Sequence, residues 1–287
     1  MKQLLILSGK GGTGKTTLAG AFIKLAQAKA YADVDVDAPN LHLILEQDVI
    51  PQIADYYGMD KAYIDMDICN LCGICEEHCR FNAISFVEDA FLVDYYACEG
   101  CGVCQAICPV DAAKMVPDIA GELKLFTNDA VFSTAQLKMG NGNSGMLVTE
   151  VKKTMQEAAI SVPLAIIDGS PGIGCPVIAS LSGVDMVLIV AEPSLSGVSD
   201  MKRIINTAEQ FQAKIAVCIN KYDTNVEKTD MIINMCKEIN LPFVGRVPYD
   251  TEAVKAINNG QTIVDIDCIA GEAAKGIFAE VLNILNV

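Results

Sequence analysis

The chain has 287 residues, of which 52% are hydrophobic and 20% charged, with no tryptophan and a formal net charge of −15. That length holds one large α/β domain or two smaller ones with an aliphatic core, and the acidic balance argues against nucleic acid and acidic membrane surfaces as partners. The first seven residues are too few for a signal-peptide core, and no apolar run approaches the ~20 residues of a membrane helix, so a cytoplasmic protein without stable membrane association is expected. Twelve cysteines in such a chain read as metal ligands rather than disulfides, and with only His42 and His78 beside them the ligation is mainly by thiolate.

Leu4-Leu5-Ile6-Leu7 predicts a strand, and Leu18 to Lys24 a helix. Between them Gly9, Lys10, Gly11, Gly12, Thr13, Gly14, Lys15 and Thr16 fill the template G-x-x-x-x-G-K-[ST], with Thr17 completing the nucleotide-binding set. Glycines let backbone N–H groups converge on phosphate oxygens, and the helix N-terminus adds partial positive charge. Lys15 then reaches the β- and γ-phosphates while the Thr16 hydroxyl holds Mg²⁺. Lys10 is not needed for this and by itself reads as a solvated charge. With it, the run resembles the deviant Walker A motif of the MinD/Mrp/nitrogenase-iron-protein group of ATPases. The resemblance implies ATP-governed dimerisation, with Lys10 crossing to the nucleotide of the partner.

From Ala30 to Pro39, aspartates alternate with small apolar residues, which predicts a second strand ending in a carboxylate-rich tip. Ligands of open α/β sheets sit at such strand ends. Three carboxylates beside phosphate repel unless a metal or an attacking water uses them. The match to the MinD group implies Asp37 as the residue that positions water, Asp35 as support for Mg²⁺, and Asp33 as structural.

Residues 68–113 break the α/β rhythm. Cys69, Cys72, Cys75 and Cys79 form a C-x₂-C-x₂-C-x₃-C run, and Cys98, Cys101, Cys104 and Cys108 repeat it 29 residues later. This is the spacing of bacterial two-cluster ferredoxins, in which the fourth cysteine of each run serves the other cluster. That resemblance implies one [4Fe–4S] cluster on Cys69, Cys72, Cys75 and Cys108, and a second on Cys98, Cys101, Cys104 and Cys79. Arg80 stands where a proline usually follows the fourth cysteine, whereas Pro109 keeps it; that residue is not a ligand. Zinc knuckles are the alternative use of eight such cysteines, and His78 reads as solvated filler.

Beyond the cysteines, Gly121 to Phe126 and Val131 to Ala135 predict strands, 140–145 a polar glycine-rich loop that is either a plain connection or a nucleotide-sensing switch, and Leu147 to Ala159 a helix. Leu164 to Asp168 is an apolar strand ending in aspartate, the Walker B arrangement that places Asp168 on the Mg²⁺ water shell. Gly172 then offers an N–H to the γ-phosphate from a switch over 169–176. Residues 185–193 predict another strand, 196–212 a helix, and Lys214 to Asn220 a strand that delivers Asn220-Lys221-Tyr222-Asp223. This tetrad fits the N-K-x-D pattern by which GTPases read guanine. The MinD group instead implies that Asn220 contacts adenine, with Pro248 near the base, so ATP is the first reading and GTP the alternative. Phe243 to Asp250 closes the sheet and two helices follow. The last carries an apolar stripe, Ile277, Phe278, Val281, Leu282 and Leu285, with almost no basic residues, and reads as core packing.

Cys218, Cys236 and Cys268 read as ordinary buried residues. Cys175 follows the proposed switch, where relatives of the iron-protein type place cysteines that bridge a cluster between subunits. It is either one half of such a shared site or a small residue in a tight turn.

The whole chain thus resembles MinD-superfamily ATPases carrying an inserted ferredoxin domain: a mostly parallel P-loop sheet over 1–60 and 118–287, flanked by helices, and a 2[4Fe–4S] insert over 61–117. The resemblance implies ATP, Mg²⁺ and two clusters as cofactors, and a homodimer or a heterodimer with a related ATPase as the assembly. Three functions follow from it. The first is ATP-gated electron transfer to a redox partner, the second is assembly or delivery of an Fe–S or other metallocofactor to an acceptor, and the third is MinD-like positioning with structural clusters.

Overall fold

The computed structural model describes all 287 residues, which divide into two compact units. Met1–Ile53, Leu123–Gln136 and Gly145–Val287 form the first, and Ala54–Glu122 with Leu137–Ser144 the second. The chain begins with β1 (Lys2–Leu7), α1 (Lys15–Ala26), β2 (Ala30–Asp33), β3 (Gln52–Tyr57) and β4 (Lys61–Ile64). The cysteine-rich stretch contains α2 (Ile74–Glu77), β5 (Ile84–Val87), β6 (Ala90–Val93), α3 (Val103–Ile107) and β7 (Ala113–Val116). Then come β8 (Ile119–Thr127), β9 (Val131–Leu137), α4 (Ser144–Ala158), β10 (Leu164–Asp168), α5 (Cys175–Leu181), β11 (Met186–Ala191) and α6 (Leu195–Ala208). The last elements are β12 (Lys214–Asn220), α7 (Val226–Glu238), β13 (Phe243–Val247), α8 (Thr251–Asn258) and α9 (Ile269–Leu285).

The sheet order is β13-β12-β11-β1-β10-β2-β9-β8-β3, and every pair from β13 to β9 is parallel. Central parallel strands are covered on both faces and so read as continuous apolar runs; in β10 and β11 every residue is buried. The stripe on α9 does pack into the core: Ile277, Phe278, Val281 and Leu285 are buried, and the Phe278 ring lies 4.9 Å from that of Phe22 on α1.

The second strand is shorter than the aspartate alternation predicts. It stops at Asp33, whose carboxylate accepts N–H bonds from Asp35 (3.0 Å), Asn40 (2.8 Å) and Leu41 (2.9 Å) and so folds 34–41 back as a loop. Asp33 therefore holds the loop, as its structural assignment requires.

In the second unit β4 pairs antiparallel with β7, and β5 with β6. Each short helix follows a glycine in the left-handed region, Gly73 (φ 76°) before α2 and Gly102 (φ 73°) before α3. A residue that tolerates positive φ there lets the C-x₂-C segment turn back on itself. The apolar core is small, built on Ile64, Ile84, Phe91, Cys104 and Ala113, with Cys69, Cys75, Cys79 and Cys108 packed against it. No helix is long and apolar enough to cross a membrane.

Candidate functional site

Parallel pairing of β1 with β10 sets Ile6 opposite Asp168, so the strand-end carboxylate lies beneath the glycine loop that leaves β1. Lys15 Nζ lies 2.7 Å from Asp168 Oδ1 and 4.0 Å from Asp35 Oδ2. The Thr16 hydroxyl donates to Asp168 Oδ2 at 2.7 Å. Burial alone would lower the Lys15 pKa, but the charge and hydrogen bond of Asp168, with Asp33 and Asp35 behind it, hold it above the ordinary value. Burial, with Asp168 adding to it, pushes Asp33 up to about 7; burial chiefly raises Asp35 to about 6, against the pull of Lys15. Carboxylates crowded round a single lysine form the charge arrangement that a divalent cation relieves. Thr16, Asp35 and Asp168 are the residues present to hold Mg²⁺, and their donor set fits it.

Two cavities open above this floor. One, of about 1250 Å³, is lined by Ser8, Lys10 to Thr17, Asp35, Asn40 and Pro171. The other, of about 710 Å³, is walled mainly by apolar groups, among them Leu18, Val247, Pro248, Ala253 and Ile257. They share Gly12, Gly14, Thr17, Ile257 and Asn258. A polar half walled by backbone amides and a lysine, joined to an apolar half, suits phosphates and a base. Gly14 (φ 93°) cannot carry a side chain, since a Cβ there would lie 2.1 Å from Asn220 Nδ2.

The second unit holds two further cavities. One is lined by Cys69, Cys72, Cys75 and Cys108. Another is lined by Cys79, Cys98, Cys101 and Cys104. All eight thiols are free, and no three side chains converge tightly enough to hold one metal ion. Backbone amides already point at the sulfurs: Ala62 N–H donates to Cys98 Sγ (3.4 Å), Ala83 N–H to Cys79 Sγ (3.3 Å) and Ala112 N–H to Cys108 Sγ (3.2 Å). At Cys108 burial would raise the pKa, but the N–H groups of residues 110–113 outweigh it and hold the thiol below its usual range. Such donors stabilise thiolate, and four thiols spread around one cavity fit a multi-iron group.

The model of the CobQ/CobB/MinD/ParA nucleotide-binding domain matches residues 4–263. The chain belongs to that family. An uncharacterised protein of Methanocaldococcus jannaschii is 30% identical across 96% of this chain and 95% of its own length. An iron-sulfur cluster carrier protein of Methanococcus maripaludis is 24% identical across 98% of this chain and 84% of its own length. Among solved structures, the septum site-determining protein MinD of Pyrococcus horikoshii, complexed with Mg-ADP, superposes with a TM-score of 0.59. That match is 18% identical and covers 98% of this chain and 95% of the other, showing the shared fold.

Several residues expected at the family's nucleotide site stand differently. Asp37 is exposed and does not line the cleft, whereas Asp35 does; the cause is the early end of β2, which puts Asp35 at the inner bend and turns Asp37 outward. The Asn220 amide donates to Thr13 carbonyl (2.7 Å) and its Oδ1 accepts from Lys221 N–H (3.0 Å), so it braces the glycine loop while also lining the apolar cavity. Gly172 N–H donates to Ser8 carbonyl at 3.0 Å, which turns it away from the γ-phosphate position. Lys10 Nζ lies 3.2 Å from Glu192 Oε2, with Ser194 and Ser196 hydroxyls nearby. Pro248 and Thr17 both line the apolar cavity. Cys175 is exposed at the start of α5, and Cys218, Cys236 and Cys268 are buried; burial pushes the Cys218 thiol up to about 12. Lys221 Nζ donates to Gly12 carbonyl at 3.0 Å, a contact that the N-K-x-D pattern does not specify, and Glu192 carried no signal in sequence because its partner Lys10 is far away along the chain.

Proposed function

We propose that this family member is an ATPase whose nucleotide cycle governs electron transfer through two [4Fe–4S] clusters, with residues 61–117 forming a ferredoxin-like insert. The observation that carries this reading is the sorting of eight cysteines into two cavities of four, in the same grouping that ferredoxin spacing implies. Each site is completed by this chain alone, which favours resident clusters over a cargo shared with an acceptor. When bound, such clusters supply one-electron chemistry.

In the ATPase unit, Thr16 and Asp168 would hold Mg²⁺, which when bound would supply charge neutralisation at the phosphates. Lys15, which lines the polar cavity, leaves Asp168 for the β- and γ-phosphate oxygens. Asp35, in place of Asp37, orients the attacking water from the cleft wall. Gly172 exchanges the Ser8 carbonyl for a γ-phosphate oxygen, and Lys10 exchanges Glu192 for the nucleotide of the second subunit, a like or related chain. Catalysis here is positioning and charge stabilisation. A redox protein is the partner that receives the electron.

A second reading, delivery of a cluster to an acceptor protein, is favoured by relatives named iron-sulfur cluster carrier proteins that align over nearly all of this chain. Anaerobic purification with iron counting and electron paramagnetic resonance, with and without MgATP, tests both. Gated electron transfer requires about eight irons per chain and a reduced-cluster signal that responds to MgATP. Iron that moves to an apo-acceptor selects the second reading, and protein that binds no iron overturns both.

A further inference from the structure

Each cysteine run begins with the same turn, Asn70-Leu71 between Cys69 and Cys72 and Glu99-Gly100 between Cys98 and Cys101. The second residue of each turn lies in the left-handed region, at φ 58° for Leu71 and 68° for Gly100. Glycine adopts that conformation freely, whereas leucine is strained there. The surroundings of the two turns differ as well. At Gly100 a Cβ would lie 2.4 Å from the Asp60 carbonyl oxygen and 2.8 Å from Met59 Cβ, so the chain itself covers the second turn. The Leu71 side chain is instead 47% exposed. Packing does not explain a strained turn that holds an apolar group in water, and strain of this kind gathers at functional surfaces.

Leu71 does not stand alone. Ile68, which precedes Cys69, is exposed, and so is Val110, which lines the cavity of Cys69, Cys72, Cys75 and Cys108. Cys72 is the one exposed cysteine of that four. Asp67, Glu77 and Asp111 are exposed in the same segments, and Lys114 is paired with Asp65 at 3.3 Å. Two cations stand at the second site, together with Glu99 on its cavity wall: Lys61 Nζ donates to the Cys98 carbonyl at 2.7 Å, and Arg80 follows Cys79. Phe81 and Val103 are exposed on that wall, but no side chain projects from its turn.

We propose that Ile68, Leu71 and Val110 form a docking face over the first cysteine site, and that its occupant is a redox protein presenting an apolar patch rimmed by lysine and arginine. This rests on the two cysteine sites holding resident clusters. Apolar contact beside Cys72 brings the partner to the least covered ligand of that site, and the carboxylate rim steers a cationic surface onto it. One electron then passes from the reduced protein to the partner, which is reduced by that electron, and no proton or bond moves with it.

Ferricytochrome c, a basic one-electron acceptor, is the probe, tested on the anaerobically prepared full chain by isothermal titration and by stopped-flow reduction of its haem. Leu71→Gly relieves the turn, so the thermal midpoint stays the same or rises and the iron content is unchanged. Affinity for cytochrome c and the rate of its reduction both fall about tenfold, the scale of one lost apolar contact. Reduction of benzyl viologen, too small to need a docking face, is unchanged. Asp67→Lys combined with Asp111→Lys weakens binding of cytochrome c and lessens its dependence on salt. Unchanged affinity in Leu71→Gly, or a loss confined to Val103→Ser, overturns the docking face while leaving the clusters in place. A change of oligomeric state in Leu71→Gly on gel filtration gives the face to a second copy of the chain and overturns the proposal too. Protein that holds no iron overturns the resident-cluster reading and this inference together.

Discussion

Lys15 and Asp168 form a 2.7 Å ion pair whose carboxylate is wholly buried and whose ammonium is 6% exposed. Each buried charge thus has its partner within the chain. In the cycle proposed above, nucleotide and Mg²⁺ would give each of the two a replacement, so that neither charge is stranded in the interior.

Removing one partner of such a pair leaves an uncompensated buried charge. Lys15→Ala should destabilise the nucleotide-free protein by about 3–5 kcal/mol, read as a lowered urea midpoint, besides abolishing ATP binding. Lys15→Ala combined with Asp168→Asn should recover part of the stability and none of the binding. An unchanged midpoint in the single variant would show that the pair is not formed in solution.

Cys104 is buried against Ile64, Ile84 and Phe91 and also lines the second thiol cavity. Cys104→Ala should lower the iron content from about eight to about four per chain. Cys218→Ala, in the middle of β12, should leave iron unchanged. Equal iron loss in both variants would mean that iron binding follows overall folding and not the assigned ligands.

Lys10 in the single chain is a half-exposed cation paired with Glu192, an interaction that contributes about 0–1 kcal/mol. Lys10→Ala should therefore keep the thermal midpoint and the ATP affinity of one chain while abolishing MgATP-dependent dimerisation, measured by light scattering. A variant that still dimerises with MgATP would remove Lys10 from the interface.

The parallel sheet, the glycine loop and the paired cysteine runs were legible in the sequence because each is a local pattern: β10 and β11 as unbroken apolar runs, Gly9 to Thr16 as a template, the cysteines as spacing. What was not legible depends on distant partners. The end of β2 is set by Asp33 bonding Asn40 and Leu41, so matching the aspartate run to a strand end favoured Asp37, whereas it is Asp35 that lines the cleft. That Asn220 also braces the glycine loop depends on Thr13 carbonyl, 207 residues away, lying beside its amide. Local patterns located the site, and long-range hydrogen bonds assigned the work within it.

Lys152 on α4 gave no sequence signal either. Its ammonium is buried and donates to the carbonyls of Ser180 and Ser182, at the end of α5. Burial pushes its pKa down to about 8. Between pH 8 and about 10.5 the folded chain thus holds fewer protons than the unfolded chain, whose lysine keeps its ordinary pKa, and stability rises with pH through that window. Against Lys152→Met, which lacks the group, wild type should gain up to about 3 kcal/mol from pH 7.5 to pH 10.5, measured by denaturant titration at each pH. A pH-independent difference would show that the carbonyls around it keep the ammonium charged throughout.

Asp35 and Asp37 separate the structural reading of the cleft from the sequence reading. Asp35 lines the phosphate half of the cleft, 4.0 Å from Lys15 Nζ; Asp37 is exposed, with its backbone carbonyl accepting from Gln136 Nε2 at 3.2 Å. A water-positioning group must lie within hydrogen-bond reach of the reacting water; Asp35 lines the cleft where the proposed reaction takes place, and Asp37 does not. Asp35→Ala should keep ATP binding within about threefold and lower single-turnover hydrolysis by about 100-fold or more, the size of a lost general-base or water-positioning contribution. Asp37→Ala should change the hydrolysis rate by less than about threefold, as an exposed carboxylate outside the cleft does. The reverse pattern would mean that nucleotide binding refolds 34–41 so that Asp37 swings inward, in which case the Asp33 bonds to Asn40 and Leu41 must break, and hydrogen exchange at those two amides would speed up on adding ATP.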